Sequence, residues 1–444
     1  MSGDPISERS RARRGGWRER AWLLMIPLLV LLYANSFSGF SIIEQKHSVL
    51  GDADASNYTM LLRNFALHKK LGNEWNAQNR SIGDNAQKHK IHHITYALTG
   101  SAMYRLARPV YRMIGVPPEK AVFAVNALIA VVNLGLLWLL LKRSNPNRNP
   151  VFPFLVFYAL ALSTWVFSSV PESWPFSATL VLLFLLLLRR RPLHPALIGA
   201  ALGLVMLNNV FLAALFALAF LEFLRAGGGL GTVLRKSLVA GVISIATWAG
   251  GLTALSVFDS SFRPDHFVRY TIWFKQFTGA SLPRTDPYVW QSAGTNLFVN
   301  SIVSNQPDAG VPQEALKTTL AESPLGAAAT AVWLIVALVA VIAFAKNLRN
   351  GWRSERWPGL LSTNSLDLAL WCATMLGVTV LLFYPSGFLY STVVVPALAL
   401  FLCQNLNLHV TWQRALFFGT LALMLVNNTA QVMVFREALS VLSG

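Results

Sequence analysis

Long apolar runs dominate the chain, and many of them end at short clusters of lysine and arginine. The runs are continuous and lack the strict alternation of membrane β-strands. An α-helix needs about 20 apolar residues to cross a bilayer, and several runs are close to that length. Lipid offers backbone groups no hydrogen-bond partners, so such runs predict transmembrane helices. The predicted single spans are 22–40, 121–141, 151–168, 174–188, 237–257, 327–345, 367–384, 388–404 and 413–432.

The apolar run 194–225 is different, because basic residues flank it on both sides, at Arg189–Arg191 and at Arg225. Two basic flanks predict an even number of crossings between them. Two short helices that break near Asn208 and Asn209 satisfy this requirement, each about 21–25 Å long. They would stop short of a full bilayer or meet inside a protein-lined cavity. The predicted total is about eleven transmembrane helices.

Polar stretches interrupt the apolar pattern at 41–120 and 258–325. Arginines crowd the tail 1–21, so the positive-inside rule places the N-terminus in the cytoplasm and both long loops outside. Apolar residues at helical spacing in the first loop predict amphipathic helices around 55–70 and 90–114. Their basic flanks are typical of helices that lie in the membrane interface.

Composition supports one transmembrane domain over residues 1–444. The chain is 54% hydrophobic and 13% charged, with mean hydropathy +0.48, whereas soluble domains average about 25% charged residues. The net charge of +17 lies largely in short loops, where it sets topology, so we predict no nucleic-acid partner.

Cys372 and Cys403 fall in apolar runs and are predicted to be core thiols. The predicted fold class is an all-α polytopic membrane protein.

Asp52 and Asp54 follow the first predicted span, where the first external loop begins. A carboxylate at this position can accept a proton from an attacking hydroxyl group, the role of a general base. Alternatively, Asp54 caps the amphipathic helix that follows it. The cap suits Asp54 better than Asp52, so Asp52 is the preferred base of the two.

Glu172 is a third candidate catalytic carboxylate. It lies in a short external turn between the predicted spans 151–168 and 174–188. A carboxylate at the membrane edge indicates function by default, but it can also be a hydrated residue of the interface. Glu222 lies near a cytoplasmic helix end, where it can reach the interface, and receives no functional role.

Basic residues in both external loops are predicted to bind a phosphate group. They are Lys88, His89, His92 and His93 in the first loop, and Arg263, His266 and Arg269 in the second. Arginine suits this role because its planar fork matches phosphate oxygens. The first-loop cluster can equally be a solvated basic face. His89 and His93 also have the i, i+4 spacing of metal ligands, without the glutamate of the zinc motif, so a divalent metal remains an alternative.

The chain resembles the GT-C superfamily of integral-membrane glycosyltransferases in four features. These are the first span, the acidic residues after it, the first external loop with its juxtamembrane helices, and the second external loop. This superfamily includes protein O-mannosyltransferases and the bacterial enzymes that attach aminoarabinose or galacturonic acid to lipid A. The resemblance implies a polyprenyl-phosphate-linked sugar as donor. It also implies that Asp52 or Asp54 is the catalytic residue and that basic loop residues hold the lipid phosphate.

The leading hypothesis is therefore an inverting glycosyltransferase of a bacterial inner membrane, with a periplasmic active site. The acceptor is a lipid, a glycan or a protein. One alternative is a transporter or flippase of a lipid-linked sugar, although the sequence lacks the repeats on which many transporters are built. Another is a non-catalytic subunit of an envelope assembly complex.

Overall fold

A computed structural model describes residues 25–40, 94–227, 229–258, 286–303, 324–380 and 387–443, with the single positions Leu23, Thr59, Leu62 and Arg63. The regular elements in these ranges are helical. The main helices are α1 (Met25–Ser36), α2 (Ile94–Met113), α3 (Ala121–Arg143), α4 (Phe152–Leu160), α5 (Leu162–Ser168), α6 (Trp174–Leu188), α7 (Pro195–Asn208), α8 (Phe216–Arg225), α9 (Leu230–Phe258), α10 (Pro287–Thr295), α11 (Pro324–Glu355), α12 (Trp357–Leu361), α13 (Leu366–Val378), α14 (Val395–Asn405) and α15 (Thr411–Ser443).

Among the described residues, four helices are long and apolar enough to cross a membrane: Pro118–Arg143, Leu230–Val257, Pro324–Glu355 and Thr411–Glu437. The share of buried residues distinguishes a helix at the centre of the bundle from helices at its periphery. In the most apolar part of α3, 61% of residues are buried, against 22% in α9 and 22% in α11. Exposed apolar faces of this extent suit contact with lipid. The prediction of an all-α integral membrane protein is confirmed.

The helix predicted around 90–114 is present as α2, and it is amphipathic as expected. One face buries Tyr96, Ala97 and Tyr104, while Arg105 and Arg112 are exposed on the other. In the segment around 55–70, where another amphipathic helix is predicted, the structure describes Thr59, Leu62 and Arg63.

The third predicted span is interrupted at Ala161, where a ψ of 130° separates α4 from α5. Such a break leaves carbonyl groups without partners inside their helix. The hydroxyl of Tyr33 donates to the Ala159 carbonyl at 2.7 Å. The amide of Asn428 donates to the Leu160 carbonyl, also at 2.7 Å. Side chains from helices distant in the sequence therefore supply hydrogen-bond donors to the carbonyl groups at the break.

The predicted break at Asn208 and Asn209 is confirmed. Asn209 is extended, and its side chain accepts a hydrogen bond from the Phe211 amide at 3.0 Å. Before the break, α7 packs closely on α9 through Gly199 and Gly203. A Cβ atom at either glycine would overlap α9 backbone, at the carbonyl groups of Ala240 and Ser244 respectively. Small residues allow this approach of two helix backbones, as in many membrane bundles.

Replacement of Gly203 by leucine is expected to destabilise the protein by about 1–3 kcal/mol, because the added side chain must push α7 away from α9. Thermal unfolding of the purified protein in detergent measures this loss. Gly250→Leu is the matched control, because a Cβ at Gly250 meets no atom within 4 Å. Equal melting temperatures for the two variants would contradict the packing account.

The basic turns meet at one end of the bundle, which we call the basic end. Arg189, after α6, donates to the Ser144 hydroxyl at 2.6 Å and to Asp367 at 2.8 Å. Arg225, at the end of α8, donates to the carbonyls of Leu361 and Thr363. These contacts join turns that charge and helix alternation place on the same side of a membrane. Glu172 precedes α6 and so lies at the opposite end.

Candidate functional site

Glu172 is buried in the turn between α5 and α6, with 2% of its surface exposed. Its Oε1 atom accepts hydrogen bonds from the Ser173 amide at 2.7 Å and from the Ser173 hydroxyl at 3.0 Å. The alternative that Glu172 is a hydrated residue of the interface is therefore wrong. Buried carboxylates need such partners, because burial without hydrogen bonds is costly.

Asn126, on α3, holds this turn in place. Its amide nitrogen donates to the carbonyls of Phe167 at 3.0 Å, Val170 at 2.6 Å and Glu172 at 2.7 Å. Its amide oxygen accepts a hydrogen bond from the Tyr96 hydroxyl at 2.9 Å. Asn126 has no exposed surface, so it is a buried junction between α3, the Glu172 turn and α2.

Asn208, at the end of α7, brings the broken helix to the same place. Its side-chain oxygen accepts from the Thr95 hydroxyl at 2.8 Å and from the Tyr96 amide at 3.0 Å. Its nitrogen donates to the Ser177 hydroxyl at 2.8 Å. Thr95 and Tyr96 begin α2, where backbone N–H groups have no partner within the helix. We call the connected set the Glu172 cluster: Thr95, Tyr96, Asn126, Glu172, Ser173, Ser177 and Asn208.

The electrostatics of the cluster keep the Tyr96 phenol protonated. Burial raises the pKa of Tyr96 well above its ordinary value, and the nearby Glu172 carboxylate raises it further. The phenol therefore remains a hydrogen-bond donor to Asn126 at neutral pH. The cluster can hold a carboxylate in a fixed orientation at the end of a membrane bundle.

The segment predicted to form the first external loop is attached to this end of the bundle. The Leu62 carbonyl accepts a hydrogen bond from the Ser101 hydroxyl at 3.3 Å, and the Leu62 side chain lies against Gly100 of α2. The end of α1 is also close, since Trp165 of α5 donates to the Ser36 hydroxyl at 3.0 Å. The predicted first loop therefore follows α1 beside α5 and contacts α2 near the Glu172 cluster.

Most predicted site residues fall in the remainder of the loops. Asp52, Asp54, Lys88, His89, His92, His93, Arg263, His266 and Arg269 lie outside the described residues, and their roles stay predictions. Within the described part, no three side chains of His, Cys, Asp or Glu are placed to hold a metal ion.

Sequence reasoning missed Tyr96 and Asn126. For Asn126 the available signal was a polar residue inside an otherwise apolar span, which indicates a specific partner because unpaired amides are costly in lipid. It also underestimated Glu222, which is 6% exposed and paired with Arg191 and Arg225. Glu222 does lie near the basic helix end where the sequence places it, but its burial and its two ion pairs were not expected.

No protein-family model and no curated protein matches the chain. Among solved structures, the chain is similar to the crystal structure of ArnT from Cupriavidus metallidurans bound to undecaprenyl phosphate. The two share 14% sequence identity with a TM-score of 0.48, and the match covers 95% of this chain and 77% of that one.

Proposed function

We propose that the protein is an inverting glycosyltransferase that moves a sugar from a polyprenyl-phosphate donor to an acceptor hydroxyl group. The main supporting observation is the buried Glu172 cluster, which joins the first external loop to the bundle opposite the basic end. The positive-inside rule makes the basic end cytoplasmic and the end that carries the Glu172 cluster external. In the proposed bacterial inner membrane, the site therefore faces the periplasm. The sequence resemblance to GT-C glycosyltransferases supplies the reaction class.

In this reaction the acceptor oxygen attacks the anomeric carbon, and the bond from that carbon to the donor phosphate oxygen breaks. The hydroxyl proton passes to Asp52 or Asp54, and polyprenyl phosphate leaves with the bonding electron pair. Preorganised positive groups stabilise the charge that develops on the phosphate. The residues proposed for this role are Lys88, His89, His92, His93, Arg263, His266 and Arg269.

Glu172 is the third carboxylate of the proposed site. Because its Oε1 already accepts two hydrogen bonds from Ser173, it is better suited to orient groups around it than to take the acceptor proton. Its neighbours link it to α2 and α3 through Asn126. The Glu172 cluster would therefore hold the site rigid while the first loop supplies the base.

The test uses the purified full-length protein in lipid nanodiscs with synthetic polyprenyl phosphates that carry different radiolabelled sugars. Extracts of bacterial envelope lipids, glycans and proteins serve as acceptors. We expect release of polyprenyl phosphate together with a labelled acceptor of inverted anomeric configuration. The Glu119→Gln variant, which changes an exposed carboxylate beside α3, is expected to remain fully active.

The same preparation separates the alternatives. Movement of labelled donor across liposomes without chemical turnover would replace the proposal with a transporter or flippase. Absence of both activities, together with co-purification of a separate catalytic protein, would make the chain a non-catalytic subunit.

A further inference from the structure

The predicted first loop contacts α2 at two adjacent residues, Leu62 and Arg63. The Leu62 side chain lies against Gly100, and the Leu62 carbonyl accepts a hydrogen bond from the Ser101 hydroxyl. An amino group of Arg63 donates to the Glu119 carbonyl at 2.9 Å. Arg63 is therefore held between α2 and the turn that precedes α3.

The guanidinium groups of Arg63 and Arg108 both lie beside the Tyr104 phenol. Arg63 donates a hydrogen bond to the phenol oxygen. Arg108 follows Tyr104 by four residues, which places the two on the same face of α2. Burial raises the pKa of Tyr104, and the two nearby positive charges oppose that rise. Since Tyr104 is only 1% exposed, two arginines converge on one buried phenol.

Arg108 is the arginine of this pair that can take a ligand. Within the described part of the chain it forms neither a hydrogen bond nor an ion pair. Its Nε atom is enclosed without a partner, so its amino groups are the donors that an outside acceptor can reach. Donors without acceptors are destabilising, and the neighbouring charge of Arg63 adds repulsion. An anion between the two arginines would reduce the repulsion and give Arg108 an acceptor.

Exposed apolar side chains lie on the same helix and directly after it. Leu106 and Met113 are each 77% exposed, and Val110 and Ile114 are exposed as well. The helix also contains three arginines and no acidic residue. Exposed apolar residues together with arginines are typical of a helix at the boundary between lipid headgroups and acyl chains. The anion that fits this position is therefore the phosphate of a lipid.

This position is separate from the Glu172 cluster. Thr95 and Tyr96 join the beginning of α2 to that cluster, and Arg108 lies twelve residues after Tyr96. At 1.5 Å per residue, the distance along the helix is about 18 Å. A lipid phosphate at Arg108 is thus remote from the site proposed for sugar transfer, which favours an ordinary membrane phospholipid over the donor.

From these observations we infer that Arg63 and Arg108 bind the phosphate of one anionic phospholipid, in the leaflet opposite the basic end. Its acyl chains lie against the exposed apolar residues of α2. Arginine suits the phosphate because its planar fork matches the phosphate oxygens. The bound lipid links the predicted first loop, through Arg63, to α2. The inference does not depend on the glycosyltransferase activity.

The experiment titrates the delipidated full-length protein in detergent with phosphatidylglycerol. Native mass spectrometry counts the bound lipids, and thermal unfolding measures stability. We expect one tightly bound phosphatidylglycerol and a higher melting temperature. Diacylglycerol with the same chains lacks the phosphate, and inorganic phosphate lacks the chains; both are expected to bind at least about tenfold more weakly. Polyprenyl phosphate is expected not to displace phosphatidylglycerol.

Three variants locate the binding site. Arg63→Ala and Arg108→Ala are each expected to weaken phosphatidylglycerol binding by about tenfold. Without lipid, Arg108→Ala should unfold at the same or a higher temperature, because it loses no hydrogen bond or ion pair of the described chain. Arg112→Ala removes an exposed arginine of the same helix. As the matched control, it is expected to leave binding unchanged.

Several results would overturn the inference. Equal binding of diacylglycerol would remove the role of the phosphate, and equal stabilisation by inorganic phosphate would remove the role of the chains. Displacement by polyprenyl phosphate would assign the two arginines to the donor instead. An equal loss in Arg112→Ala would indicate diffuse attraction to α2. A lower melting temperature of lipid-free Arg108→Ala would make that arginine a structural residue.

Discussion

Replacing the proposed catalytic base of the predicted first loop by asparagine is expected to lower the rate of the proposed sugar transfer by about 10²–10⁴-fold. Asparagine has nearly the shape of aspartate but cannot accept the proton of the acceptor hydroxyl. We expect this loss for Asp52→Asn, while Asp54→Asn should lose less activity and more stability if it caps the following helix. Initial rates at saturating donor, measured with each purified variant, give the comparison.

Donor binding distinguishes a lost base from a lost fold. Asp52→Asn is expected to bind the polyprenyl-phosphate sugar as tightly as the unmodified protein, because the basic residues proposed to bind the phosphate are unchanged. Glu119→Gln serves as the matched carboxylate-to-amide control. Full activity in both aspartate variants would remove Asp52 and Asp54 from the mechanism.

Replacing Asn126 by leucine is expected to produce the largest loss of stability, about 3 kcal/mol or more. The change removes the partners of the Phe167, Val170 and Glu172 carbonyls and of the Tyr96 hydroxyl. Each buried polar group left without a partner costs about 1–3 kcal/mol, against a total stability of about 5–15 kcal/mol. Thermal and denaturant unfolding in detergent measure the effect.

The matched control is Asn35→Leu on α1. Asn35 is exposed, and its amide donates to the Leu31 carbonyl of its own helix. We expect this substitution to change stability by less than about 0.5 kcal/mol. A similar melting temperature for the two leucine variants would show that Asn126 does not hold the Glu172 turn.

The order of the helices could be predicted from the sequence because hydrophobic burial in a membrane depends mainly on residue type and length. The span predicted at 174–188 is observed at Trp174–Leu188, where arginine follows the apolar run. The break at Asn208 and Asn209 was also visible, since two adjacent amides are poorly placed inside an apolar helix. Longer helices, such as α11 at Pro324–Glu355, continue into basic sequence that hydropathy alone would exclude.

The candidate site was only partly predictable. The sequence identifies Glu172 as a carboxylate between two spans, and it identifies Asp52 and Asp54 as acids after the first span. It does not show that Asn126 binds the Glu172 turn from 46 residues away. Nor does it show that Tyr33 and Asn428 stabilise the break at Ala161, or that Glu222 is enclosed by arginines.

The sequence by itself determined the all-α class, the membrane location, the expected topology and the acidic candidates of the first loop. Tertiary structure decided which polar groups meet inside the bundle, because a hydrogen bond depends on the position of both partners and a hydrophobic pattern records only one at a time. For that reason the Glu172 cluster and the ion pairs of Glu222 and Asp367 with arginines appear only once the helices are packed.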